Sequence, residues 1–93
     1  MAKQVTIDVL TASACGRCQK SKALVQEVMA EFDDEHRQLI QYREINVVEE
    51  IDYAVQLGVL STPAIALNGK LVFAAPPSKA KLRQAIQQRL GGK

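Results

Sequence analysis

Val5, Ile7 and Val9 alternate with Thr6 and Asp8, and Leu10 extends the run, a period of two that predicts a buried strand. Residues 11–14 are small and form a short loop. Leu24, Val25, Val28, Met29 and Phe32 then recur at helical spacing on one face. That helix should start near Gly16 and fray through Asp33-Asp34-Glu35, where carboxylates oppose the dipole. Residues 39–46 carry Ile40, Tyr42 and Ile45 and predict a second strand. Asn46 has the chemistry of an N-cap, with Glu49 three positions on as its partner. Val48, Ile51 and Val55 are expected on the inner face of the helix that follows, and Gly58 is a natural stop. Ser61-Thr62-Pro63 leads into two short apolar runs separated by Asn68-Gly69, the strongest short hairpin signal. Pro76-Pro77 break the chain, and Ser78 can cap a last helix with Leu82, Ala85, Ile86 and Leu90 on one side. The predicted order is β-α-β-α-β-β-α.

Ninety-three residues without a linker, repeat or low-complexity tract predict one domain spanning 1–93. The formal net charge of +2, with both signs spread along the chain, argues against nucleic acid and against a membrane surface as partners. No apolar run approaches the roughly 20 residues that cross a bilayer. The chain enters its first strand directly after Met-Ala-Lys-Gln, which leaves no room for a signal peptide and predicts a cytoplasmic location.

The chemistry concentrates in Cys15-Gly16-Arg17-Cys18, which contains both cysteines of the chain. A C-x-x-C where a strand gives way to a helix sets the first sulfur beside the unpaired N–H groups of the helix start. Those groups favour the thiolate, the reactive form of cysteine, and the charge of Arg17 adds to them. In the cytoplasm such a pair reports catalysis or metal binding more often than a structural staple.

With the element order, the C-x-x-C, Thr62-Pro63 before the hairpin and the spacing of the Gly58-Val59-Leu60-Ser61-Thr62-Pro63 segment, the chain resembles the thioredoxin/glutaredoxin superfamily, especially its small redox-active disulfide proteins. The resemblance implies an α/β minimal thioredoxin fold: a four-stranded mixed sheet, order 2-1-3-4, flanked by three helices, with a cis Thr62-Pro63 bond. It implies a dithiol/disulfide oxidoreductase acting on protein disulfides, with no tightly held cofactor. Cys15 is then the attacking thiolate and Cys18 the more covered resolving cysteine. Gly16 and Arg17 shape the loop and its electrostatics, and Thr62 and Pro63 present the substrate chain. The implied partners are a disulfide-containing protein and an upstream thiol reductant or reductase; the protein itself is expected to be a monomer.

Three positions depart from the family pattern. Ala14 stands where the family carries tryptophan. Val9 takes the place of the buried acid six positions before the nucleophile, and strand alternation should turn neighbouring Asp8 to the other face. Ala74-Ala75-Pro76-Pro77-Ser78 replaces the Gly-Gly-x-Asp-type segment with which glutaredoxins hold glutathione.

A rival from another class is a small metal-binding or metallochaperone-like module that uses the same C-x-x-C, because thiolates suit Cu(I) and Zn(II). Copper-chaperone domains run β-α-β-β-α-β, however, and usually place Met two residues before the first cysteine, where this chain has Ser13. The one further plausible ligand, His36, lies in a charged segment and is expected to be solvated. A binding adaptor without turnover is the third possibility; it would still bind with both cysteines replaced by serine.

Overall fold

The computed structural model describes residues 4–12 and 16–91. Among them the elements run β1 (Val5–Thr11), α1 (Gly16–Ala30), α2 (Asp34–Arg37), β2 (Ile40–Asn46), α3 (Ile51–Leu57), β3 (Ala64–Leu67), β4 (Lys70–Phe73) and α4 (Lys79–Arg89). The strands form one sheet in the order β2-β1-β3-β4. β1 lies parallel to β2 and antiparallel to β3, and β3 pairs antiparallel with β4. The α/β class and the mixed 2-1-3-4 sheet agree with expectation. The helices number four among the described residues, not three.

The extra helix is α2. The segment after α1 does not simply fray: Asp33 Oδ1 accepts the His36 N–H at 2.9 Å, and the Arg37 N–H bonds to the Asp33 carbonyl at 2.9 Å. Asp33 is thus an N-cap, and Asp34 and Glu35 follow it in the first turn. The carboxylates that oppose the end of α1 complement the start of α2.

Period-two alternation divides the core between the two faces of the sheet. On one face Val5, Ile7, Val9, Ile65 and Leu67 meet Val25 and Val28 of α1, and Leu82 and Ile86 of α4. On the other, Leu10, Ile45, Ala64 and Ala66 are covered by Tyr53 and Leu57 of α3 with Val47, Val59 and Leu71.

The second face holds the main correction. Asn46 caps as expected, its Oδ1 accepting the N–H groups of Val48 and Glu49 at 2.9 and 3.2 Å, although the regular helix begins only at Ile51. Val48, Ile51 and Val55 are nevertheless exposed, at 70%, 56% and 69%, and Ala54 is the buried residue of α3. Apolar residues occupy both sides of this helix, so spacing alone could not choose between them. Asp8 chooses. It is fully buried on the face that α3 covers, and a buried carboxylate needs donors. Turning Tyr53 inward supplies one, because its hydroxyl donates to Asp8 Oδ2.

The turns follow their sequence signals. Asn68 and Gly69 both have positive φ, 54° and 78°, as a two-residue hairpin turn requires. Asn68 also exchanges two 2.9 Å bonds with Thr6, its N–H to the Thr6 carbonyl and its Oδ1 from the Thr6 N–H. Gly58 ends α3 at φ 81° with its N–H on the carbonyls of Ala54 and Val55. Ser78 caps α4, its Oγ accepting the Lys81 N–H at 3.2 Å.

Candidate active site

The sheet register gathers the candidate residues at one end of the molecule. Leu10 of β1 is paired with Ala64, the first residue of antiparallel β3. The residues entering β3, Thr62 and Pro63, therefore lie at the carboxyl end of β1. Past that same end the chain turns into α1, which begins at Gly16. Cys15 lies outside the described residues, as do Ser13 and Ala14.

Cys18 is the third residue of α1 and is 2% exposed. It is a disulfide cysteine rather than a free thiol. Gly16 and Arg17 are exposed. A Cβ at Gly16 would meet no atom within 4 Å among the described residues, so packing does not demand glycine there. The first turn of α1 carries Arg17 and no acidic side chain. The positive end of this fifteen-residue helix is thus uncompensated by its own residues, and an anionic sulfur is the charge it favours.

The Thr62–Pro63 peptide is cis, with Pro63 buried and Thr62 half-buried. Thr62 is one of the residues lining a cleft of about 240 Å³ between α3 and the loop that follows it. Ile51, Val55, Val59 and Leu60 line that cleft, and Leu60 is 99% exposed.

Sequence reasoning missed a polar cluster beneath α3. Asp8 does turn away from the Val9 face, but into a buried site rather than toward solvent. Arg43 grips it with both arms of the guanidinium, Nε to Oδ1 at 2.7 Å and Nη2 to Oδ2 at 3.0 Å. Tyr53 donates from above and stacks its ring 5.9 Å from the Arg43 guanidinium carbon. The bond to Asp8 raises the Arg43 pKa further; burial first, and then the bond to Asp8, raise that of Tyr53. The signal was an acid within a strand otherwise rich in β-branched residues, with its cation 35 positions away on a neighbouring strand.

Val9, at the position of the family's buried acid, is fully buried on the face shared with α1. His36 Nδ1 bonds to Asp33 Oδ1 at 2.6 Å on the surface. Among the described residues, no three His, Cys, Asp or Glu side chains converge as metal ligands do. Among the same residues, no helix is long and apolar enough to cross a membrane.

The profile of the thioredoxin domain family matches residues 5–87. The chain is similar to the thioredoxin of Methanocaldococcus jannaschii, with 33% identity over 87 residues that cover 94% of this chain and 98% of that one. Among solved structures it resembles a protein disulfide oxidoreductase from Aeropyrum pernix, 25% identical with a TM-score of 0.84, over 99% of this chain and 40% of the other. HBP35 of Porphyromonas gingivalis shares the fold, with 18% identity and a TM-score of 0.83 over 98% of this chain and 34% of that one. The chain therefore spans well under half the length of these two solved proteins.

Proposed function

We propose, from the premise that this chain belongs to the thioredoxin domain family and is a thiol–disulfide oxidoreductase, that it reduces or exchanges protein disulfides through the dithiol of Cys15 and Cys18. The observation that carries the reading is the position of Cys18: buried, third in a helix whose first turn holds Arg17 and no acid.

The Cys15 thiolate attacks one sulfur of a substrate disulfide, and the electron pair of the broken S–S bond leaves on the other substrate sulfur. The result is a mixed disulfide between Cys15 and the substrate. Cys18, as thiolate, then attacks the Cys15 sulfur and expels the second substrate thiolate, leaving Cys15 and Cys18 joined. An upstream dithiol reductant resets the pair by the same exchange in reverse. The helix start and Arg17 lower the cost of the Cys15 thiolate, and Gly16 shapes the loop.

Thr62 and Pro63 present the substrate. A half-buried Thr62 at the sheet end offers backbone groups to which an extended segment can add as a strand. The largely apolar cleft that Thr62 helps to line supports that placement by offering a seat for substrate side chains. The protein acts as a single thioredoxin-like domain, 1–93, monomeric and cytoplasmic, with no tightly held cofactor.

The test equilibrates the purified protein in graded thiol/disulfide buffers and reads cysteine oxidation by mass shift after alkylation. A reversible two-electron transition is expected. Cys15→Ser should abolish disulfide reduction, whereas Cys18→Ser should accumulate the mixed disulfide with substrate. Absence of a reversible intramolecular disulfide would overturn the mechanism and favour metal carriage by the same thiolates.

A further inference from the structure

Cys18, Ser21, Val25 and Val28 form the buried stripe of α1 at spacings of three and four. Three of them suit an apolar interface and Ser21 does not. It is 2% exposed, as is Cys18, and its Oγ is buried without a hydrogen-bond partner among the described residues. Helical serines commonly bond back to a carbonyl one turn earlier. Ser21 makes no such bond among the described residues and bears the desolvation cost of a buried hydroxyl, which alanine would avoid. A group orphaned in one state of a protein invites a partner in another.

Its position identifies the partner. Residues three apart on a helix have Cβ atoms about 5–6 Å apart, and helical side chains lean toward the N-terminus. The Ser21 hydroxyl therefore leans toward the turn that holds Cys18. In this structure Cys18 is a disulfide cysteine, and such a sulfur accepts hydrogen bonds weakly. A thiolate at the same place is charged, and hydrogen bonds to charged acceptors are about twice as strong as neutral ones.

We propose that on reduction Ser21 donates a hydrogen bond to the Cys18 sulfur, most strongly as that sulfur takes up the electron pair of the broken disulfide, so that a hydroxyl without a partner among the described residues in the oxidised state tunes the redox potential of the pair. The proposal rests on Cys15 and Cys18 being the exchanging pair. When an external dithiol reduces the protein, one of its thiolates attacks the Cys15 sulfur. The Cys15–Cys18 bond breaks, and its electron pair leaves on Cys18. The second external thiolate then displaces Cys15 and closes the external disulfide. Two electrons pass from the dithiol to the pair, and protons exchange with solvent. Ser21 keeps its own proton throughout and only gains an acceptor.

The sign follows from which state holds the bond. Ser21 favours the reduced form and penalises the oxidised one, so both effects raise the potential. Ser21→Ala should change the equilibrium constant with a dithiol buffer about tenfold toward the oxidised protein, a midpoint about 30 mV more negative. In a Cys15→Ser background the Cys18 thiol should ionise about one pH unit higher once Ser21 is alanine. Ser21→Thr keeps the hydroxyl and should hold the midpoint near wild type.

The experiment titrates wild type, Ser21→Ala and Ser21→Thr side by side, and adds urea unfolding of each in the oxidised and reduced states. A merely structural serine would shift stability equally in both states. The proposal requires Ser21→Ala to be neutral or stabilising when oxidised and destabilising when reduced. A reversible wild-type transition with an unmoved Ser21→Ala midpoint overturns the role of Ser21 and leaves the dithiol reading standing. A wild-type protein with no reversible transition overturns that reading, and this proposal with it.

Discussion

The two faces of the sheet are closed by different chemistry. Against α1 and α4 the fully buried cluster is aliphatic, from Val5 to Ile86, with Ser21 as the buried polar residue of α1. Against α3 it is mixed: Leu10, Ile45 and two alanines surround a carboxylate held by one arginine and one tyrosine. The difference teaches what each closure specifies. Aliphatic packing rewards any rotation of a helix that buries enough surface, so its strength lies in area. A buried carboxylate accepts only an arrangement that brings donors to it, so its strength lies in choosing one rotation. The aliphatic face carries Cys18, and the mixed face fixes the helix that leads through Gly58 to Thr62 and Pro63.

The largest expected effect breaks the aliphatic side. Ile86→Ala empties part of a fully buried contact between α4 and the sheet and should cost about 3 kcal/mol, read from the urea midpoint at constant m-value. Next, Asp8→Ala removes the acceptor from Tyr53 and Arg43. Breaking a fully buried pair costs about 3–5 kcal/mol, but the Arg43 side chain is 44% exposed and can turn to water, so about 2 kcal/mol is expected. Tyr53→Phe, which leaves Arg43 on the acid, should cost only about 1 kcal/mol. If Asp8→Ala proved neutral, the cluster would not be what orients α3.

The two tyrosines of the chain compare the faces by titration. Burial, and then the bond to Glu44, push Tyr42 up to about 12, while burial and Asp8 raise Tyr53. Well below pH 10 both phenols are protonated whether the chain is folded or unfolded, and they contribute nothing to the pH dependence. Above pH 10 the unfolded chain loses these protons first, so stability should fall as pH rises toward about 12. Near-ultraviolet titration of the folded protein checks this; a phenol in the Tyr42→Phe variant ionising near 10 would remove Tyr53 from the account. The smallest effect belongs to the outer side of α3. Val55→Lys places a charge where the valine is already 69% exposed and should change stability by less than about 0.5 kcal/mol, whereas an inward-facing Val55 would make it severe.

What could be read from the chain depended on whether its signals were local. Strand alternation from Val5, the Asn68-Gly69 turn, the Ser78 cap and the Gly58 stop are each decided within a few residues, and each appears in the structure. The placement of Cys18 in the first turn of α1 and of Thr62-Pro63 just before β3 was legible in the same way, since both sit in short motifs at element boundaries. The orientation of α3 was not legible, because Val48, Ile51 and Val55 present as good a stripe as Tyr53, Ala54 and Leu57. Only the partnership of Asp8 with Arg43 and Tyr53, 35 and 45 positions away, decides between them. The separate helix at Asp34 was hidden for another reason. Asp33-Asp34-Glu35 reads equally as an unfavourable end and a favourable beginning, and the backbone takes it as a beginning. Ser21 stayed out of view because a small polar residue in a helix pattern carries no mark of where its hydroxyl will be left.

One placement bears on how the molecule comes apart. β1 lies between β2 and β3, and its residues 7–10 are paired on both sides, while β2 and β4 are the edge strands. Edges can peel one at a time; an interior strand, β1 or β3, is released only when both its neighbours have gone. In hydrogen exchange the amides of Ile7 and Val9 should be among the last to trade with solvent, at rates set by global unfolding. The strand that leads toward α1 and Cys18 is thus among the last that local fluctuation reaches, and a peeled edge strand leaves that end of the sheet anchored.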